Sequence, residues 1–468
     1  MDSSANAGSS STEQLSPKKE PRWDPQQNHG RQGAADYPGC DQIVLSHPTL
    51  HAGSDCPDCA EHHTKARLYA LKDPGHLLVL EGQPIITGTH YEIEKLRCTL
   101  CGKQYAAPVP EELKNRPKYD ETCRSSLAIN HYYLGYPFKR IELLQAMHGI
   151  PVPDATQWDQ MQKLYEVVAP VHAALEQAAA NGERFFYDDT THRILLKDLP
   201  PHRKGIYTTA IAAQVDKEHR AYLFYTSWHY AGENIKTLFE ARESESSFLT
   251  MTDASANNIP RTIPEDLLVQ WIFCFCLVHG RRKFYELYDI FEGEVRFVLD
   301  QIGLVYANGR YCHQQHYDAE QRLLHNQKYS APVMELLKTW LTNQLVFYQV
   351  EPNNPLGEAI RYMLKYWIPL TQFLRIPGAA IDNSLAERMV KVVIRYRKNS
   401  LFFRTAEGAA VGDVLMSLIH TARCNQENPF DYLNTLQRYS DAVAENPGQW
   451  LPWNYQSRLA AFDIKRVA

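Results

Sequence analysis

No apolar run in these 468 residues approaches the roughly 18 residues that a membrane-spanning helix needs. The opening segment is polar and Ser-rich and lacks the apolar core of a secretory signal, so neither a membrane span nor export is expected. A general excess of positive charge is also missing: 49 Lys and Arg stand against 54 Asp and Glu, a net charge of -5. That excludes an all-round basic coat, and any nucleic-acid contact must come from local patches. Residues 1–42 lack both a hydrophobic period and heptads, and read as a disordered lead-in. A disulfide framework is not expected either. The ten cysteines sit in a chain with no export signal, and four of them fall in two C-x-x-C pairs, which points to reduced, metal-binding thiols.

Those pairs are Cys56 with Cys59 and Cys98 with Cys101. Two tight turns offering two thiolates each make a tetrahedral four-sulfur site, and the strand-like segments HLLVLEG and YEIEKLRC between them suit a zinc ribbon over residues 43–112. Four thiolates leave no open coordination position, so this Zn²⁺ would be structural. Residues 113–180 read as mostly helical, with a Gly149-Ile-Pro-Val-Pro turn and a following helix capped by Asp154 or Thr156. Two helices across such a turn are compatible with helix-turn-helix DNA binding and equally with an ordinary helical hairpin.

From about residue 183 the period shortens. ERFFYDDTTHRILL, GIYTTAIAAQV and RAYLFYTSWH read as strands, GENIKTLFEAR as a helix, SSFLTMTDA as a strand ending on Asp253, and IFCFCLVH (272–279) as a further buried strand. Long helical stretches follow. The organisation expected is an α/β core over 181–283, a helical insertion over 284–375, the last core helices over 376–425 and a tail over 426–468.

The stretch IDNSLAERMVKVVIRYRKNSLFFRT (381–405) reads as a helix with an apolar face of Leu385, Met389, Val392, Val393 and Tyr396. A second stripe carries Asn383, Glu387, Lys391 and Arg395. Glu387 is the only acid from Leu385 through Thr405, among Arg388, Lys391, Arg395, Arg397, Lys398 and Arg404. A solvated face with i,i+4 ion pairs would look like this, and so would a carboxylate that holds a divalent metal while phosphates lie alongside. Three strands, a helix, a strand ending on an acid, another strand and a late acid-bearing helix is the layout of a ribonuclease-H-like nuclease core. In that layout Asp188, Asp253 and Glu387 would converge. Neighbouring Asp188 and Asp189 must face opposite sides of their strand, so only one can join such a site. Cys274 and Cys276 alternate on a buried strand and read as core.

In these motifs the chain resembles transposases of the insertion-sequence-66 family, which are DDE-type enzymes. Asp188-Asp189-Thr190 matches the family's Asp-Glu-Thr, and FLTMTD matches the strand ending on its second acid, Asp253. His279-Gly-Arg281-Arg282-Lys283-Phe284 matches its His-x-Arg-Arg-Lys-Phe, and PLGEAIRY (355–362) the segment before its last acid. Asp382-Asn383-Ser384-Leu-Ala-Glu387-Arg388, Arg397-Lys398-Asn399 and Leu451-Pro452-Trp453-Asn454 match as well. Asp189 and Ser384 depart from the family's Glu and Asn.

The resemblance implies a ribonuclease-H-like mixed sheet interrupted by a helical insertion. Asp188, Asp253 and Glu387 would be catalytic and would hold Mg²⁺ or Mn²⁺. The phosphate contacts would come from Arg281, Arg282, Lys283, Arg388, Lys391, Arg395, Arg397 and Lys398. It implies as partners the terminal inverted repeats of a transposon and target DNA, self-association on DNA, element-encoded accessory proteins and a cytoplasmic, nucleoid-associated place in a bacterium. Other readings are a non-catalytic DNA-binding descendant and a Mg²⁺-dependent nuclease that cuts without joining. A glycosidase with paired carboxylates fits less well, because a cationic stripe has no purpose there.

Overall fold

In the computed structural model the described residues are 49–50, 52–56, 67–69, 85–97, 104–195 and 205–467. The chain divides into Met1–Gln83 and Pro84–Ala468. In the first unit Asp55 and Arg67 form an isolated antiparallel bridge, and Gly53 N donates to Leu68 O at 2.8 Å. Cys56 is a free, half-buried thiol, and the other expected zinc ligands, Cys59, Cys98 and Cys101, lie outside the described residues. In the second unit, β1 (Lys95–Arg97) and β2 (Gln104–Ala106) pair antiparallel, flanking the second cysteine pair.

The helical segment runs through α1 (Glu121–Ala128), α2 (Phe138–Met147) and α3 (Asp154–Ala180). Asp120 caps α1 by accepting from Cys123 N at 2.9 Å. Helix α2 stops at Gly149, whose φ of +71° lets Ile150 N turn back to Gln145 O at 3.0 Å. Neither expected cap starts α3. Pro153 precedes it without a side-chain bond, Asp154 is its first residue, and Thr156 lies inside. A proline with fixed φ, just before the first turn, replaces the capping hydrogen bond. Met161, Leu164, Val168, Val171 and Leu175 recur at alternating steps of three and four and are all fully buried. They belong to the same apolar core as the sheet, so residues 113–180 pack with it, as do Tyr432, Leu433, Leu436 and Trp450 of the tail.

The sheet is five-stranded and mixed, in the order β5–β4–β3–β6–β7. Its strands are β3 (Arg184–His192), β4 (Ile206–Gln214), β5 (Arg220–Ser227), β6 (Phe248–Thr252) and β7 (Trp271–Phe275). The pairs β3–β4 and β4–β5 are antiparallel, as a meander dictates. Helix α4 (Ala231–Glu240) carries the chain across to β6, and α5 (Glu265–Gln270) to β7, so β3–β6 and β6–β7 are parallel.

The free edge of β5 is closed by side chains of one helix. The N–H groups of Arg220, Tyr222, Phe224 and Thr226 donate to Asn425 Oδ1 (3.1 Å), Thr421 Oγ1 (2.9 Å), Ser417 Oγ (3.0 Å) and Asp413 Oδ2 (2.5 Å). Two strand residues advance about 6.7 Å and four helical residues about 6 Å, so the two repeats stay in step over four rungs.

Between Phe275 and Phe373 the chain builds a separate helical core around Phe284, Val298, Ile302, Leu337, Leu341 and Ile360. Its helices are α6 (Leu277–Tyr285), α7 (Glu292–Gln314), α8 (Ala331–Val346) and α9 (Pro355–Lys365). Two expectations need correction. The strand expected over 272–279 ends at Phe275, and His279 through Lys283 are helical; a short apolar run does not by itself separate a buried strand from a buried helix. The boundary at 283 therefore falls inside α6. At Gly280 a Cβ would meet Met363 Sδ at 2.6 Å, so the absent side chain lets α9 lie close against α6. The chain returns at Ile381, whose carbonyl accepts from Leu277 N at 3.1 Å. It then enters α10 (Ser384–Ser400), followed by α11 (Ala406–Cys424), the helix that closes β5.

Candidate active site

Strand alternation sorts the two neighbouring acids. Asp189 Oδ2 accepts from Ala231 N, the first residue of α4, at 3.2 Å. Asp188 points to the other face, where the turn after β6 arrives. Asn258 Nδ2 donates to Asp253 Oδ1 at 2.6 Å and to Asp188 Oδ1 at 3.4 Å, so one amide spans the two carboxylates. Asn258 is itself buried, and its carbonyl accepts from Tyr187 Oη at 2.8 Å. Burial, and after it the charge of Asp253, push the Asp188 carboxyl up to about 7. Two acids facing each other with a single donor between them are a donor set for a hard divalent cation, whose charge would relieve that repulsion.

Glu387 stands in the first turn of α10; among the described residues Asp188, Asp253 and Glu387 do not form a set of ligand atoms within 4.8 Å of one another. Asn383, just before the helix, donates its side-chain amide to Tyr187 O at 3.0 Å and its backbone N–H to Cys276 Sγ at 3.3 Å. Glu387 follows one turn later. Its carboxylate, Cys276 Sγ and a ring nitrogen of His279 lie within 4.8 Å of one another. Cys276 belongs to a small apolar cluster with Leu249, Met251 and Cys274, against which Phe186 packs; Phe186 shares a strand face with Asp188 by alternation. Burial pushes the Cys276 thiol up to about 11. Three polar atoms around this junction are buried without a hydrogen-bond partner among the described residues: Thr252 Oγ1, His279 Nδ1 and Asn383 Oδ1. The sequence reading missed Asn258 as a link; its reading of Cys276 as core holds, since that side chain is fully buried in an apolar cluster.

Comparison with known proteins decides the family. Residues 118–411, more than half of the chain, match the family described as Transposase IS66 family. The chain belongs to that family. Three proteins of Sinorhizobium fredii (strain NBRC 101917 / NGR234) are similar to it, each carrying the name "Uncharacterized protein". The one designated y4hP is 25% identical over 390 residues, covering 79% of this chain and 68% of the relative. For y4jD the values are 33% over 187 residues, 39% and 36%, and for y4qI 27% over 348 residues, 72% and 62%. Among the described residues no helix is long and apolar enough to cross a membrane.

The cations of this IS66-family chain fall into two groups. On α10, Met389, Val393 and Tyr396 of the expected apolar stripe are buried and Leu385 and Val392 half-buried, while Arg388, Lys391, Arg395 and Lys398 are exposed. Arg395 donates to Tyr133 O at 3.1 Å, and Arg397 to Thr190 Oγ1 at 3.2 Å and to Thr191, so both are partly tied down. On α6, Arg282 and Lys283 are exposed and Arg281 half-buried. Lys283 lies over the Tyr362 ring at 4.7 Å, and both line a cleft with Arg361, Lys365, Tyr366, one acid, Glu358, and Ala254, the residue that follows Asp253. Arg361 and Lys365 were not singled out in the sequence; PLGEAIRY alone does not say which of its residues face the acids.

Proposed function

We propose that this chain is an active DDE transposase with a ribonuclease-H-like core. In this reading Asp188, Asp253 and Glu387 would hold two Mg²⁺ or Mn²⁺ ions, and the protein cleaves the transposon end and joins its freed 3′-OH to target DNA. The observation that carries the reading is the Asp188–Asn258–Asp253 bridge, which unites acids from two parallel strands of the sheet. When bound, the metals would supply a deprotonated nucleophile and stabilise the leaving oxygen of an in-line displacement.

The protein's own part is positioning. Burial keeps Asp188 reluctant to ionise alone, and Asn258 holds both carboxylates in register. Asn383 fixes the first turn of α10, which carries Glu387, against β3. Lys283, Arg361 and Lys365 give phosphates a path beside Asp253, and Arg388, Lys391 and Lys398 a second along α10. Zinc at the cysteine pairs, inverted-repeat recognition by residues 43–180 and self-association on DNA belong to the same reading.

The test is Mg²⁺-dependent cleavage and strand transfer on duplex DNA carrying the inverted repeats that flank the reading frame. Asp188→Asn, Asp253→Asn and Glu387→Gln should each lower both products by about a thousandfold while DNA retention persists. Cleavage that survives all three changes would refute the assignment. Cleavage without joined products would make the protein a nuclease.

A further inference from the structure

A second group of potential metal ligands shares Glu387 with the proposed catalytic site and differs from it chemically. Cys276, His279 and Glu387 offer a sulfur, an imidazole nitrogen and a carboxylate oxygen within 4.8 Å of one another. Magnesium selects oxygen donors, whereas a mixed sulfur, nitrogen and oxygen set is one that zinc accepts. Ligand atoms around tetrahedral zinc sit roughly 3.5 Å apart, so about an ångström of side-chain motion would close the set.

The scaffold holds these side chains together without the ion. Cys276 immediately precedes α6 and His279 stands three residues on, so both face the same side of its first turn. Glu387 lies in the first turn of α10. The two turns are stapled by Leu277 N to Ile381 O at 3.1 Å and Asn383 N to Cys276 Sγ at 3.3 Å. A buried cysteine alone is ordinary core. Here His279 Nδ1 is also buried without a partner among the described residues, as is a ring nitrogen of His172, His192, His325 and His420; what sets His279 apart is the thiol and the carboxylate within 4.8 Å of its ring. Both helix N-termini carry partial positive charge, so a dication is held there only if thiolate and carboxylate both face it.

We infer that Cys276, His279 and Glu387 form a zinc site with an open fourth position, and that zinc there withdraws Glu387 from the catalytic metals and switches cleavage off. The inhibitory half rests on the transposase reading; the binding half does not.

The test uses the full-length protein, dialysed against micromolar zinc, with metal content per chain measured for wild type, Cys276→Ser and His279→Ala. Any zinc held at the C-x-x-C pairs is a background common to all three. Each variant should hold one equivalent fewer than wild type, whereas Asp188→Asn should hold as many. With cobalt as probe, wild type minus Cys276→Ser should show a single thiolate-to-metal charge-transfer band. Equal zinc in wild type and both variants overturns the site; if Cys276→Ser fails to unfold cooperatively, His279→Ala decides alone. In the magnesium-driven assay, zinc should reduce wild-type cleavage by about tenfold and leave the ratio near one in His279→Ala. Binding without that loss overturns the switch. If no protein cleaves at all, the transposase reading fails, and the metal content still decides the site.

Discussion

Asp188 carries the sharpest consequence at the residue scale, because both its burial and its neighbour Asp253 oppose its charge. Its carboxyl is raised to about 7 from the usual 3.8, first by burial and then by Asp253. For a raised acid the folded state binds the proton more tightly than the unfolded chain. Its contribution to stability is therefore full below about pH 4 and is lost as pH climbs through about 7. In metal-free buffer, Asp188→Asn should thus stabilise the protein at pH 8 by roughly 1–3 kcal/mol and change little at pH 4. Millimolar Mg²⁺ should reverse the order at pH 8 by stabilising only the wild type. Thermal unfolding at the two pH values, with and without Mg²⁺, checks this; a variant that never exceeds wild type at pH 8 would contradict it. Alternation allowed only one of Asp188 and Asp189 to face a shared site, and the motif singled out Asp188; the structure does turn the two to opposite faces. Asn258 was not readable, since its role arises from a turn that folds back on Asp253. His279 was misplaced because the strand was drawn four residues too long.

Among elements, the β5–α11 contact is the one that local pattern could not disclose. Asp413, Ser417, Thr421 and Asn425 form an i,i+4 polar stripe, and such a stripe ordinarily marks a solvated face. Here Ser417 and Thr421 are fully buried, because their partners are backbone N–H groups of a strand distant in the chain. Strand β5 is a sheet edge, and the helix protects it as a further strand would, without offering a new edge in turn. Ser417→Ala and Thr421→Val should each cost about 1–3 kcal/mol by leaving Phe224 N–H or Tyr222 N–H buried and unpaired. The double variant should cost less than the sum if the rungs act as one unit. Urea unfolding followed by circular dichroism measures it, and single changes within about 0.5 kcal/mol would show that water replaces the hydroxyls. The strands themselves, and the acid closing β6, were legible from alternation and composition. The 27-residue α3 was legible as a helix but not as the sheet's packing partner, because a heptad-spaced apolar stripe does not say what covers it.

For the whole molecule, the problem is how a chain of net charge -5 holds DNA. The sequence placed a cationic stripe on one helix. Folding adds a second group by bringing α9 of the insertion against α6, so that Arg361 and Lys365 join Lys283 beside Ala254, the residue that follows Asp253. That grouping depends on Gly280 and on the return of the chain at Ile381, neither of which pairs with its partner by any short-range signal. The insertion is in this view a wall of the DNA path, and the test is electrostatic. For every phosphate deprived of its cation, the slope of log K against log salt should fall by about 0.9. Lys283→Ala, Arg361→Ala and Lys365→Ala should each approach that value, and their combination about three times it, with cleavage falling in step at moderate salt. Lys217→Ala, in the exposed turn between β4 and β5, should leave the slope unchanged. If all four single variants behave alike, binding is a diffuse property of the surface, and the cleft beside Asp253 has no part in it.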